Sequence, residues 1–192
     1  MILRLILATC CLVPVTAALQ VSPPPQTEQT ETGPAHLPGR LYVAYRIRLL
    51  PVSSYPQLPA PVSQQLVQKG CMIPQTYEAR EPENVIHGSF EKKGSDDWAA
   101  LCSVNRVTTL YVFFQSDLDH PIPLRHQPDT EWLGVEWSLD YGSAWGIATR
   151  PARLLQPKDS ADHDGIEDAF VEHSSTIHYF QNGRWTALDS TQ

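Results

Sequence analysis

The side chains that could do nucleophilic or acid–base chemistry are scattered along the chain. Ser143 stands in the run Asp140-Tyr141-Gly142-Ser143-Ala144-Trp145-Gly146. A nucleophile elbow needs glycines two before and two after its serine. Tyr141 and Trp145 hold those positions. Seven histidines are dispersed, and His173 and His178 are five apart on β-type sequence. That spacing directs them to opposite faces of a regular strand. Asp96 and Asp97 are adjacent, so in extended chain they diverge and do not make the spaced carboxyl pair of a glycosidase. No catalytic residue is assigned on these patterns. A hydrolase site would have to be assembled from residues distant in sequence.

The cysteines are more informative once the N-terminus is read. Residues 1–18 carry one cation, Arg4, then an apolar stretch over 5–15, then Thr16-Ala17-Ala18. This is the three-part plan of a secretory signal, with cleavage expected after Ala17 or Ala18. The apolar run falls short of the roughly 18 residues of a spanning helix, and Pro14 interrupts it. Leu7-Ala8-Thr9-Cys10 resembles a lipobox, but Thr9 is a poor match and the apolar run continues past Cys10, so no lipid anchor is expected. Cys10 and Cys11 leave with the leader. Cys71 and Cys102 remain as an even pair in an exported chain, which reads as a disulfide, the alternative being two buried thiols. Their spacing fits no zinc pattern. The expected location is outside the cytoplasm, periplasmic or secreted.

These residues must be positioned by a β-rich fold. Residues 19–40 are rich in Pro, Gln, Thr and Glu and are expected to be a flexible tether, since they bury too little apolar surface to offset ordering entropy. A single domain is expected over 41–192. Residues 41–50 alternate and are β-prone, predicting a strand. Residues 62–70 predict the one helix, with a proline at its start and Gly70 where a C-cap belongs. Short strands are predicted over 85–90, 98–103, 108–114, 131–139, 145–149, 170–171 and 176–180. Asn105-Arg106 and Asn182-Gly183 mark turns. The expected class is β-rich, either all-β or α+β.

Two stretches look alike. Residues 88–101 and 160–171 each place a glycine three residues before an aspartate (Gly94 and Asp97, Gly165 and Asp168), and each leads to a second β-prone run. This layout resembles the FG-GAP repeat of integrin-type propeller blades, whose D-x-D-x-D-G-x-x-D loop holds calcium between two strands. The resemblance covers about a third of the chain. It implies two loop-strand-turn-strand units with one short helix packed on them. A full propeller is excluded, because at least four blades of roughly 40 residues would be needed. The resemblance places ligands of the second copy at Ser160, Asp162, Asp164 and Asp168, with Gly165 at the sharp turn, and so implies calcium there. Calcium takes about six to eight oxygens, so carbonyls and water would complete the shell. The corresponding positions of the first copy are Ser89, Glu91, Lys93 and Asp97, and the Lys93 ammonium argues against a cation. The segments Cys71-Met72-Ile73-Pro74 and 88–103 are also similar to a turn and a run found in uncharacterised exported bacterial proteins.

The formal charge is −7, and removing Arg4 with the leader takes it to −8. An acidic chain without a basic run repels phosphate, so nucleic acid is not an expected partner. No membrane-spanning segment is expected after leader removal. Trp132 and Trp137 are five apart and face opposite sides of a strand, so one of them is a candidate for display. An exposed tryptophan can stack on a sugar or anchor a protein, whereas a buried one fills the core. The expectation is an exported binding or interaction module, its partner a protein or a glycan. The alternative is an extracytoplasmic hydrolase.

Overall fold

The run Asp97–Val104 is buried along nearly its whole length. A strand apolar on both faces must be covered twice, and that requirement organises the molecule. The computed structural model describes residues 26–39, 42–135, 140–155 and 161–189. Seven antiparallel strands build the larger sheet: β1 Gln29–Ala35, β2 Val43–Pro51, β3 Met72–Pro74, β4 Val85–Gly88, β5 Asp97–Val104, β6 Val107–Phe114 and β7 Asp117–Pro128. The order is β1-β2-β3-β5-β6-β7, with β4 also paired to β5. The strands expected over 98–103 and 108–114 are present, and of the one expected over 41–50 residues 43–50 lie in β2, residue 41 falling outside the described residues.

On one face of this sheet lies α1, Ala60–Lys69. Pro61 fits its first turn, and Gly70 closes it at φ 76° with its N–H on the Leu66 and Val67 carbonyls. Only glycine takes that left-handed position without strain. Val62 and Leu66, one turn apart, are fully buried against Leu50, Ile73 and Phe113. Here Cys71 and Cys102 form the expected disulfide, with 4.9 Å between their Cα atoms. It ties the end of α1 to the central strand.

The other face is covered by a second sheet. After a small ribbon of β8 Leu133–Gly134 and β9 Gly142–Ser143, the chain forms a four-stranded antiparallel meander. Its strands are β10 Trp145–Arg150, β11 Gly165–Phe170, β12 Ser174–Gln181 and β13 Arg184–Asp189. Trp145, Ile147 and Ile166 point inward onto Ala99, Leu101, Leu110 and Val112. Strand alternation therefore splits β5: Trp98, Ala100 and Cys102 face the helix, while Ala99 and Leu101 face the second sheet. Both expected turns are tight hairpins with paired positive φ, at Asn105-Arg106 and Asn182-Gly183. Among the described residues, none of the sheets closes into a barrel or a propeller.

One expectation is corrected here. Within the stretch read as a tether, residues 29–35 form β1, paired with β2 from Gln29↔Leu49 to Ala35↔Val43. A strand at a sheet edge is held by backbone hydrogen bonds and can stay polar. Of its side chains, only Ala35 is buried. Pro34 is tolerated because an edge strand has one unpaired side.

Candidate functional site

A concavity lies between the segment joining β3 to β4 and the outer face of β10 and β11. Its volume is about 700 Å³. The wall is fixed by two amides. Gln75, fully buried, presents Nε2 to the Tyr55 hydroxyl at 2.8 Å and to the Ile73 and Glu83 carbonyls at 3.1 and 3.2 Å. Its Oε1 accepts the Glu83 N–H at 2.9 Å. The Tyr55 hydroxyl donates to the Glu83 carbonyl at 2.7 Å, and burial raises its pKa. Asn84, at φ 69°, donates from Nδ2 to the Pro74 and Trp145 carbonyls at 2.8 and 3.0 Å. Its Oδ1 accepts the Ile147 N–H at 3.0 Å. Asparagine is among the few residues suited to this left-handed backbone, and here it stitches the two sheets together.

The floor follows from the pleat. Because Trp145, Ile147, Ile166 and Asp168 face inward, Gly146, Ala148, Glu167 and Ala169 face outward and line the groove. A Cβ on Gly146 would lie 3.2 Å from Val171 Cγ2 and 3.6 Å from Thr76 Cγ2, so glycine keeps the floor open. Around this apolar floor stand Glu78, Glu81, Glu83 and Glu167, with Arg80. Glu167 is paired with Arg150 at 2.8 Å, and Glu83 accepts the Thr76 hydroxyl. The rim carries more negative than positive charge.

Ser160, the first expected calcium ligand, lies outside the described residues. The other three are engaged separately. Asp162 is exposed and meets His163 Nδ1 at 2.7 Å. The His163 imidazole holds the Asp162 carboxyl below its ordinary range. Asp164 accepts the Ser89 N–H at 3.1 Å and the Ala152 N–H at 3.2 Å. Asp168 is fully buried, with Oδ1 on Trp145 Nε1 at 2.7 Å and Oδ2 on Arg125 Nη1 and His178 Nε2 at 3.1 and 3.0 Å. Gly165, expected at a sharp turn, is instead the first residue of β11, opposite Arg150. A Cβ there would come within 2.8 Å of Ile177 Cγ2, so this glycine serves close strand packing and the chain runs extended past it. Among the described residues, no group of three or more His, Cys, Asp or Glu side chains is gathered to hold a metal.

In the first copy Asp97 is equally buried. It accepts the Phe90 and Glu91 N–H groups at 2.7 Å, the Ser95 hydroxyl at 2.5 Å and the Gln115 N–H at 2.8 Å. It organises its own loop. The two look-alike stretches meet where the Asp164 N–H donates to the Ser89 carbonyl at 2.9 Å.

The remaining candidates are also dispersed. Ser143 is buried, its Oγ 3.3 Å from the Trp145 N–H. His173 packs on the Phe170 ring, while His178 sits on Asp168. Asp96 pairs with His87 at the surface, away from the buried Asp97. Trp132 is half-buried under the Arg125 guanidinium, 4.2 Å from its ring centroid, and lies parallel to Phe170. Trp137 lies outside the described residues. Gln75, Asn84, Gly146 and Ala148 were not singled out by sequence reasoning. The only signal they carried was a buried-type amide beside a strand and small residues alternating with Trp145 and Ile147. No protein-family model, curated protein or solved structure matches the chain.

Proposed function

We propose that the protein is an exported binding module that holds a basic, extended segment of a partner protein in the groove between residues 76–84 and the outer face of β10 and β11. One observation carries the reading. The acidic wall is pre-fixed by Gln75, Asn84 and Tyr55 over an apolar floor of glycine and alanine. A preformed wall lowers the ordering cost of binding. The carboxylate rim selects for positive charge and against anionic ligands. The leader at residues 1–18 supports export. The disulfide is compatible with it, and no helix of the described residues is long and apolar enough to cross a membrane.

The test is a backbone-amide NMR titration of the mature chain with an alternating Ala/Lys octapeptide. An Ala/Glu octapeptide and a neutral hexasaccharide serve as controls. The Lys peptide should shift amides of 78–83, 146–148 and 167–171 and should weaken in 0.5 M salt. Ala169→Arg, which puts a cation on the floor, should abolish those shifts. Equal response to the Glu peptide, or no response at millimolar Lys peptide, would refute the reading. Shifts from the hexasaccharide alone would assign the groove to glycan instead.

A further inference from the structure

The turn at residues 76–79 is a wall with two sides. It is closed by the Ala79 N–H on the Thr76 carbonyl at 3.1 Å, and the Tyr77 N–H anchors it to the Ser143 carbonyl at 2.8 Å. The Tyr77 hydroxyl adds a bond to Glu172 at 2.9 Å. On one side lies the groove described above. On the other lies a second hollow of about 460 Å³, and Thr76 and Ala79 line both. The charge changes across the turn. The first side carries Glu78, Glu81, Glu83 and Glu167 against Arg80. The second carries Arg46 and Arg48 against Glu28 and Asp140. A basic segment continuing past the turn would therefore leave an acidic rim for a balanced one that holds two guanidiniums.

Those guanidiniums grow from a fixed base. Arg46 and Arg48 are two apart on β2 and share one face, with about 7 Å between their Cα atoms. The Arg46 N–H donates to the Tyr141 carbonyl at 2.7 Å, and the Arg48 carbonyl accepts the Gln75 N–H at 2.9 Å. Gln75 thus holds the arginine strand by its backbone and the wall of the first groove by its side chain. Arg48 meets Glu28 at 2.9 Å and Arg46 meets Asp140 at 3.5 Å, the two acids being 54% and 47% exposed. Ion pairs that exposed hold weakly, so an incoming carboxylate competes on even terms. Each guanidinium also has five donors, more than one carboxylate takes.

We propose that the second hollow takes an acidic side chain of the same partner segment, so that the ligand is bipolar: a basic run over β10 and β11, then a carboxylate between Arg46 and Arg48. This rests on the groove reading above and adds a charge order to it. The ends of such a turn are under about 7 Å apart, which extended chain crosses in about two residues. The basic and acidic parts of the ligand are therefore separated by about two uncharged residues.

The test titrates the mature chain with the alternating Ala/Lys octapeptide and with the same peptide extended through Gly-Gly by Ala-Glu-Ala-Glu, at either end. In one of the two orders the extension should tighten binding at least tenfold and add amide shifts at 28–30, 46–48 and 140–142. Arg46→Gln with Arg48→Gln, both at the surface, should return the extended peptide to the affinity of the octapeptide and leave the octapeptide itself bound no more weakly. If the octapeptide shifts the groove but neither extension adds affinity or shifts at 46–48, the bipolar ligand is overturned and the groove reading stands. A gain that survives the double substitution overturns it too. If no peptide binds, the groove reading fails and this proposal fails with it.

Discussion

Replacing Asp168 by asparagine keeps the side-chain shape but removes a charge and one acceptor oxygen at a position with no solvent exposure. In the wild type both oxygens are taken, Oδ1 by Trp145 and Oδ2 by Arg125 and His178. The amide can turn its carbonyl to one side only, leaving its NH₂ against a donor on the other. A hydrogen bond to a charged group contributes about 1.5–3 kcal/mol. Breaking a buried ion pair at one partner costs about 3–5 kcal/mol. The Arg125 side chain is a third exposed and can rehydrate in part, which places the expected loss near the bottom of that range, about 3 kcal/mol. For a domain of this size that lowers Tm by about 6–12 °C. Circular-dichroism melts and urea titrations measure both quantities. Adding Arg125→Met should recover part of the loss, since the partner charge is then gone. A Tm change within 2 °C would refute the reasoning. The same melts with calcium and with a chelator separate two readings of Asp168. A calcium ligand makes the wild type respond and Asp168→Asn fail to respond. An internal acceptor makes the two respond alike, and the three donors on Asp168 favour that outcome.

The other expectations test the staples of the fold. Cys102→Ala opens a loop with a sequence separation of 31. The chain-entropy estimate gives a loss of about 3–4 kcal/mol. Its Tm in oxidising buffer should fall to that of the reduced wild type, and a drop under 2 °C would count against it. Asn84→Ala strips partners from the buried carbonyls of Pro74 and Trp145 and from the Ile147 N–H, costing about 3 kcal/mol. Asn84→Gly loses the same bonds but relaxes the left-handed backbone, so it should be about 1 kcal/mol less damaging in urea titrations. Equal losses would mean that the backbone conformation carries no strain.

The parts of the fold legible in the sequence are those where burial leaves a periodic mark. The apolar run Trp98-Ala99-Ala100-Leu101-Cys102 announces a strand covered on both faces, and the second sheet and α1 are what cover it. The helix was bracketed by Pro61 and Gly70 because those residues act locally. β1 and β7 left no such mark. Both are edge strands of half-exposed side chains, and β7 contains Pro121, Pro123 and Pro128, which a central strand would exclude. Their stability comes from backbone pairing with β2 and β6, to which side-chain patterning is blind.

The site was less legible, for a reason that two glycines make plain. A glycine in sequence signals either a backbone that must turn or a neighbour that must come close, and the letter is the same for both. Beside Asp164, Gly165 reads as a turn. In the fold it is extended and admits Ile177, so the acidic residues around it are spread along a strand and its approach. Gly146 looked like part of an ordinary β-prone run, yet the missing Cβ is what leaves a hollow under Thr76 and Val171. Which use a glycine has depends on residues far away in the chain. Ile177 decides it for Gly165, and Val171 with Thr76 for Gly146, through strand registers set by the sheets as a whole. The acidic wall over Gly146 depends likewise on Asn84 reaching Trp145, 61 positions on. A groove built from absent side chains and a distant amide clasp becomes visible only when the two sheets are placed together.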